Sequence, residues 1–228
     1  MNTDQIRQTF ENTAIVYDGL IPKLIPHYHQ QNRLLLDLIP FDRQRPLNVL
    51  DLGAGTGVLS SLILQAFPSA NVTVFDLAES MLETCQRNLS AFRDRVTIQQ
   101  GNFARDDIGS GYDLIISGLA IHHLDHPGKQ RLFKRLFQGM NPGGIFLNRD
   151  IVISPTPTLT QQHHQLWCQY IESQGEDSNY WFAKYLAEDI PASVEDQLKW
   201  LREAGFEDVS CHWRYLNFAI FGCRKPNQ

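Results

Sequence analysis

The chain has 228 residues, a hydrophobic fraction of 43% and a formal net charge of −5 at pH 7. This length fits one domain with a modest addition, and the charge argues against general attraction to nucleic acid or anionic membranes. Four scattered cysteines, a polar amino terminus and the absence of a long apolar run predict a cytoplasmic protein with free thiols and no membrane span.

Strands and helices alternate along the chain, which is typical of a parallel sheet covered by helices on both faces. The predicted strands cover residues 47–51, 72–76, 96–99, 112–117, 144–150, 207–214 and 217–223. The predicted helices cover residues 4–16, 24–38, 57–66, 79–90 and 128–138, with one more beginning at residue 193. The last two strands are antiparallel because their link is short. We therefore predict an α/β fold with a doubly wound, mostly parallel seven-stranded sheet and an antiparallel last strand.

Two segments lie outside this alternation. Residues 1–40 form a predicted amino-terminal helical cap, and residues 154–192 form a predicted helical lid within a single domain that spans residues 1–228. Ligands of open parallel sheets bind beyond the carboxyl ends of the strands, and both segments emerge so as to cover that edge. We expect them to hold the substrate specificity.

A glycine-rich segment, V-L-D-L-G-A-G-T-G at residues 49–57, follows the first strand. Glycines adopt positive φ and let backbone amides approach a ligand closely. A dinucleotide site has the spacing G-x-G-x-x-G, whereas this spacing is G-x-G-x-G, with Asp51 two residues before the first glycine. A carboxylate at that place repels a pyrophosphate and suits a ligand with a cationic amine or sulfonium.

A second acid, Asp76, ends the next strand, where it is placed to accept hydrogen bonds from two ribose hydroxyls. Together with Asp51 and the glycines, it predicts a crevice for S-adenosylmethionine rather than for a dinucleotide.

These motifs resemble the class I S-adenosylmethionine-dependent methyltransferases, and the likeness runs nearly end to end. Residues 49–57 match the first motif of that family, Asp76 its ribose-binding acid, and residues 101–103 its adenine-contacting segment, in which Asn102 replaces a frequent Asp. The resemblance implies a Rossmann-like fold and S-adenosyl-L-methionine as cofactor. The implied cofactor-binding residues are Tyr17, Asp51, Gly53, Ala54, Gly55, Gly57, Asp76, Leu77, Met81, Asn102, Phe103 and Ser117.

The amino-terminal region resembles one branch of that family. Residues 10–18 read F-x-x-x-A-x-x-Y-D, and an I-P-x-Y-like element follows at residues 25–28. The branch includes carboxy-S-adenosylmethionine synthases, which make a modified cofactor for transfer-RNA wobble modification, and it implies that Tyr17 reaches the methionine end of the cofactor. Those synthases use an arginine in the last helix. This chain has Trp200 there, and Arg202 would face elsewhere, which argues against the synthase.

Two histidines, His122 and His123, leave the fourth strand at the ligand-binding edge. Either imidazole has a suitable pKa for a general base, with His123 the better candidate, and the alternative is that one packs beside the cofactor and the other caps a turn. Histidines 163 and 164 in the lid are weaker candidates. Residues 122–126 are too crowded in sequence for an evident metal site, so we predict none.

The predicted function is methyl transfer from S-adenosylmethionine to an unidentified small molecule. The alternatives are a carboxy-S-adenosylmethionine synthase-like enzyme and a non-catalytic S-adenosylmethionine-binding module, while the glycine spacing disfavours a dehydrogenase. A small-molecule substrate is the expected partner, without membrane or nucleic acid. The amino-terminal helices could also serve a homodimer.

Overall fold

The computed structural model describes residue 7 and residues 17–227. The strands in chain order are β1 (Leu47–Leu52), β2 (Ala70–Asp76), β3 (Val96–Gln100), β4 (Tyr112–Gly118), β5 (Met140–Ile151), β6 (Glu207–Tyr215) and β7 (Phe218–Arg224). The α-helices are α1 (Tyr17–Leu24), α2 (Tyr28–Asp37), α3 (Val58–Ala66), α4 (Glu79–Asn88), α5 (His126–Gly139), α6 (Pro157–Ser173), α7 (Ser178–Glu188) and α8 (Val194–Glu203). Short 3₁₀ helices cover Ser90–Arg95 and Ile121–His123.

All seven strands form one sheet in the order β3-β2-β1-β4-β5-β7-β6. The first five strands pair in parallel, and β7 runs antiparallel to both β5 and β6. The order reverses between β1 and β4, which creates a crevice at the carboxyl ends of these two strands. The fold class predicted from the sequence is confirmed.

The central strands of the sheet are buried on both faces, which is typical of a parallel sheet covered by helices. Leu50 and Leu52 of β1 pack in one apolar cluster with helices α5 and α8, while Val49 packs in a second cluster with α2 and α3. Alternate residues of β1 therefore belong to opposite faces. Because helices pack against both faces at β1, the end of this strand has a defined position. The functional residues begin there.

The amino-terminal cap differs from its prediction. A single helix was expected over residues 24–38, but α1 ends at Leu24 and α2 begins at Tyr28. His27 adopts a left-handed conformation with φ of 58°, and the proline at position 26 disfavours helical geometry in the residue before it. The predicted helix over residues 4–16 lies outside the described residues, apart from residue 7, which is helical.

The lid packs on the cap across the carboxyl edge of the sheet. The indole nitrogen of Trp167 in α6 donates to the carbonyl of Leu24 at 2.7 Å, and the hydroxyl of Tyr170 donates to the carbonyl of Pro22 at 2.8 Å. Both acceptors lie at the end of α1, so α6 holds this helix in place. Among the described residues, no helix combines the length and apolar character needed to span a bilayer.

Candidate functional site

A cavity of about 290 Å³ opens at the carboxyl edge of the sheet, at the reversal of strand order. Its walls come mainly from α1 and from the loops that follow β1, β2, β3 and β4, and residues of α5 and β5 complete them. Its lining contains most of the site residues predicted from the sequence: Tyr17, Asp51, Gly53, Ala54, Gly55, Asp76, Leu77, Met81, Asn102, Phe103 and His123.

The glycine loop brings bare backbone to this cavity. Gly53 and Gly55 have φ values of 71° and 55°, which glycine adopts without strain. A Cβ atom on Gly53 would lie 2.3 Å from the Cβ of Ala120, whereas one on Gly55 would meet no atom within 4 Å. Gly53 is therefore required for packing, and Gly55 leaves open space beside its backbone.

Asp76 is held at the cavity by two backbone amides. Its Oδ2 accepts a hydrogen bond from the N–H of Gly55 at 2.8 Å, and its Oδ1 accepts one from the N–H of Ala78 at 3.0 Å. Burial raises the pKa of this carboxyl, although the backbone hydrogen bonds oppose the shift. A carboxylate has about four acceptor positions, so these backbone hydrogen bonds leave room for a ligand hydroxyl.

Asp51 is the deeper of the two acids, with an exposed fraction of 1%. Its Oδ2 accepts hydrogen bonds from the N–H of Ser60 at 3.0 Å and from its hydroxyl at 2.6 Å. Burial raises the pKa of Asp51 to about 6. No basic side chain among the described residues forms an ion pair with it, so a cationic ligand group would supply the missing positive charge.

Hydrogen bonds hold the loops around the cavity in place. The hydroxyl of Thr56 donates to the carboxylate of Asp18 at 2.5 Å, which links the glycine loop to α1. Arg135 donates to the carbonyl of Phe103 at 2.6 Å and to the carbonyl of Asp106, which holds the loop after β3. Asn102 Oδ1 accepts from the N–H of Ala104 at 2.9 Å, so its amide has a defined orientation.

Three of the predicted residues lie behind this cavity rather than in its lining. Gly57 has φ of 83° at the start of α3, and a Cβ there would lie 2.6 Å from the sulfur of Cys85. The buried hydroxyl of Ser117 donates to the carbonyl of Leu52 at 2.7 Å and so joins β4 to β1. The third residue, His122, lines a neighbouring cavity.

This second cavity has a volume of about 120 Å³ and lies between α1, α6 and α7. It shares Tyr17, Ile21, Leu119 and His123 with the first. Its other walls are mostly apolar or aromatic: Leu20, Leu24, Ile25, Ile151, Trp167, Trp181 and Tyr185. Its polar lining residues are His122, His123, Lys184, Glu188 and Asp189. His123 therefore stands between the two spaces.

A chain of hydrogen-bonding groups lies behind His123. Its Nδ1 is 3.3 Å from Asp189 Oδ1, which is 3.5 Å from the Nε2 of His122. The Nδ1 of His122 is 2.5 Å from an oxygen of Asp150. Burial lowers the pKa of His122, but Asp189 and Asp150 together outweigh it and the net shift is upward. Burial raises the pKa of Asp189, but the two histidines reverse this effect. The arrangement can orient an imidazole and stabilise its protonated form.

Three of these groups lie close enough together to be considered as metal ligands. One ligand atom each from His122, His123 and Asp189 lies within 4.8 Å of the others. Asp125 instead caps α5, accepting from the N–H of Gly128 at 2.6 Å, and His126 Nε2 lies 3.5 Å from the carbonyl of Pro191. The Nδ1 of His122 lies 2.5 Å from Asp150 and the Nδ1 of His123 lies 3.2 Å from the carbonyl of Glu188, so both histidines also have partners outside this cluster. That this protein holds no metal stays a prediction.

Sequence reasoning missed three residues that line these cavities, Asp189, Arg149 and Arg131, and a fourth, Asp150, that lies behind His122. Asp189 comes from the end of the lid, and Asp150 and Arg149 come from β5; Arg131 lies on α5. Only Asp150 and Arg149 had a local signal, because they stand at the carboxyl end of a predicted strand. Trp200, aligned with the synthase arginine, packs against the ring of His126 and does not line the first cavity.

Comparison with known proteins agrees with this geometry. Residues 49–144 match the family model described as a methyltransferase domain. The carboxy-S-adenosyl-L-methionine synthase of Campylobacter lari is 22% identical over 213 residues, which cover 92% of this chain and 91% of that protein.

Two solved structures are also similar. A putative O-methyltransferase from Nostoc punctiforme has a TM-score of 0.68 and 17% identity over 95% of this chain. Human N-acetylserotonin methyltransferase, solved in complex with S-adenosylmethionine, has a TM-score of 0.61 and 22% identity over 95% of this chain. The chain spans only 60% and 59% of these two proteins, and the likeness to them shows the fold.

The fold, the glycine loop and the family match define a nucleoside-binding methyltransferase domain. Residues 49–144 match the methyltransferase-domain family, and the chain as a whole has the fold of the S-adenosylmethionine-dependent methyltransferases to which it is similar. The predicted recognition, enzyme class and cofactor are confirmed at the level of the family.

Proposed function

We propose that the protein transfers a methyl group from S-adenosylmethionine to a small, largely apolar acceptor whose nucleophilic atom carries a proton. The observation that supports this is the place of His123, which lines both the larger and the smaller cavity and has Asp189 behind it. The larger cavity takes the cofactor, and the smaller one, with its aromatic walls, takes the acceptor.

The chain's own groups fit this cofactor. Asp76 would accept hydrogen bonds from the two ribose hydroxyls, and Asn102 and Phe103 would contact the adenine. Asp51 would accept the cationic amino group, since this buried carboxylate lacks a cationic partner among the described residues. Tyr17, which packs against Met81, would close over the methionine end. When bound, the cofactor supplies an electrophilic methyl group on a sulfonium.

His123 would take the proton of the acceptor. A carboxylate at Asp189 favours the tautomer with the proton on Nδ1 of His123, which places the acceptor lone pair on Nε2. Asp189 would then stabilise the imidazolium, while His122 and Asp150 hold Asp189 in place. The apolar lid would exclude water, which strengthens these interactions and prevents hydrolysis.

The test incubates the protein with S-adenosylmethionine carrying a labelled methyl group and with a panel of small phenols, amines and thiols. His123→Gln should lower kcat by roughly 10²- to 10⁴-fold with little change in affinity for S-adenosylhomocysteine, the range for loss of a general base. His126→Gln is the matched control, because His126 lies only three residues further along the chain, at the start of α5, and lines neither cavity. Equal kcat values for the wild type and His123→Gln would show that His123 does not act as the general base.

A second candidate is a carboxy-S-adenosylmethionine synthase-like enzyme. It is favoured by relatives of that name that cover 92% of this chain, and by a buried arginine, Arg149, in the larger cavity. The last helix supplies no cation to that cavity, since Arg202 donates to the carbonyl of Val209 instead. Mass spectrometry of ligand carried through purification separates the two functions by the mass of the ordinary or the carboxylated cofactor.

The setting of the reaction is also a proposal. Four free cysteines and a net charge of −5 support a reducing compartment, the cytoplasm, and a small-molecule substrate rather than nucleic acid. Exposed apolar residues of the lid helices, such as Leu186 and Tyr180, are compatible with a homodimer. Light scattering across a concentration series tests the dimer, and a constant monomer mass contradicts it.

A further inference from the structure

Arg149 is a buried cation in the larger cavity. It stands near the end of β5, has an exposed fraction of 3% and lines the same cavity as Asp51. Its guanidinium carbon lies 4.7 Å from the ring centre of Tyr28, and its Nη1 donates to Asn32 Oδ1. Its Nε has no hydrogen-bond partner, and no acidic side chain among the described residues forms an ion pair with it.

A buried charge in this condition is costly. Removing a charged group from water requires an opposite charge or a full set of hydrogen bonds in return. The amide oxygen of Asn32 and the face of Tyr28 are neutral partners, which return only part of the lost solvation. Arginine also has the planar geometry that binds a carboxylate through two parallel hydrogen bonds. The missing partner of Arg149 is therefore an anion that enters with the ligand.

The position of Asp51 narrows the choice of anion. Asp51 and Arg149 line one cavity with opposite charges, yet they do not form an ion pair. They do influence each other, because burial raises the pKa of Asp51 and Arg149 partly lowers it. An α-amino acid has a positive ammonium group and a negative carboxylate on the same carbon atom. A ligand with such a group can therefore pair its ammonium with Asp51 and its carboxylate with Arg149.

We propose that Arg149 binds the α-carboxylate of the cofactor's amino-acid end, with the α-ammonium group held by Asp51. This inference rests on the proposed cofactor site and adds the residue that recognises the anionic end. Arg131 is the other arginine in the lining of this cavity, but it is exposed on α5 and needs no ligand to compensate its charge.

The test compares three ligands by calorimetry on the full chain. S-adenosylmethionine has the carboxylate, decarboxylated S-adenosylmethionine lacks only that group, and 5′-methylthioadenosine lacks the whole amino-acid end. In the wild type, the decarboxylated ligand should bind roughly 10- to 100-fold more weakly than S-adenosylmethionine, as expected for loss of a charged hydrogen-bonded pair. Equal affinities would overturn the inference without any variant.

Variants of Arg149 and a control variant of Arg131 locate the effect. Arg149→Met should remove the preference for the carboxylate and leave the affinity for 5′-methylthioadenosine within about threefold, while Arg149→Lys should keep part of the preference. Arg131→Met is the matched control and should keep all of it. An equal loss for the three ligands in a folded Arg149→Met protein would assign Arg149 a structural role. If Arg131→Met abolished the preference for the carboxylate, Arg131 on α5 rather than Arg149 would bind that group. Either result would overturn the inference.

A further binding measurement, with carboxy-S-adenosylmethionine, distinguishes the α-carboxylate from the extra carboxylate of that ligand. If Arg149 recognised the extra carboxylate of carboxy-S-adenosylmethionine, the wild type would prefer that ligand to S-adenosylmethionine. Arg149→Met would then remove only that preference, which would refute the inference and favour the synthase. Failure of 5′-methylthioadenosine and S-adenosylmethionine to bind at all would instead refute the proposed cofactor site.

Discussion

Asp51→Asn removes one buried charge while keeping the shape of the side chain, and it should move stability and binding in opposite directions. The folded-state pKa of Asp51 is about 6, against an ordinary value of 3.8. A raised pKa means that the ionised carboxylate lowers the stability of the folded, ligand-free protein. A shift of about 2 units corresponds to about 3 kcal/mol, since each unit is worth about 1.4 kcal/mol. The loss of stability is fully present above pH 6 and disappears as the pH falls below 4.

The variant should therefore have a higher free energy of unfolding than the wild type at pH 7.5, by up to about 3 kcal/mol without ligand. The gain will be smaller if the amide accepts the two Ser60 hydrogen bonds less well than the carboxylate does. Urea unfolding at pH 7.5 and pH 4 measures the difference, which should nearly vanish at the lower pH. Asp94→Asn, at an exposed position, is the control and should change neither value.

Binding should respond with the opposite sign. Because the cofactor's ammonium group needs the ionised carboxylate, wild-type affinity should fall about tenfold between pH 7 and pH 5. Asp51→Asn should weaken binding at pH 7 by roughly 10- to 100-fold and remove most of this pH dependence. Calorimetric titration with S-adenosylhomocysteine measures both effects. A variant that loses stability at pH 7.5 and binds as tightly as the wild type would refute the reasoning.

Three further substitutions test the walls of the larger cavity. Gly55→Val should abolish cofactor binding, since its φ of 55° strains a branched residue and the side chain would fill open space; unchanged calorimetric affinity would remove the site from this loop. Asp76→Ala should lose about 1.5–3 kcal/mol of affinity for S-adenosylhomocysteine, and a loss of only a few tenths would mean that it does not bind the ribose. Arg135→Met should weaken adenosine binding severalfold and increase hydrogen exchange in the loop at residues 101–106 that it supports; unchanged exchange would contradict that support.

The sequence predicted those parts of the site that depend on local order along the chain. Asp51 and Asp76 each stand at the carboxyl end of a strand of a parallel sheet, so a short motif is enough to place both at one edge. The glycine loop follows the same rule, because its positive φ values depend on a few consecutive residues. The antiparallel pairing of the last two strands was predictable because the link between them is short.

The features that the sequence did not predict depend on contacts between residues that are distant in the chain. Asp189 reaches His123 only because the lid folds back over the sheet, and no spacing in the sequence reports that contact. Arg149 stands at the end of a predicted strand, but only the structure shows that it is buried without an acidic partner among the described residues. The break between α1 and α2 was missed because the apolar pattern of residues 24–38 continues through the left-handed residue His27.

A crystal structure of the full chain with S-adenosylhomocysteine tests the central claim most directly. We predict one ligand in the larger cavity, with its ribose hydroxyls within hydrogen-bond distance of Asp76 and its ammonium group at Asp51. Its carboxylate should contact the guanidinium of Arg149. A ligand bound away from the glycine loop, or bound there with both acids turned away from it, would contradict the account.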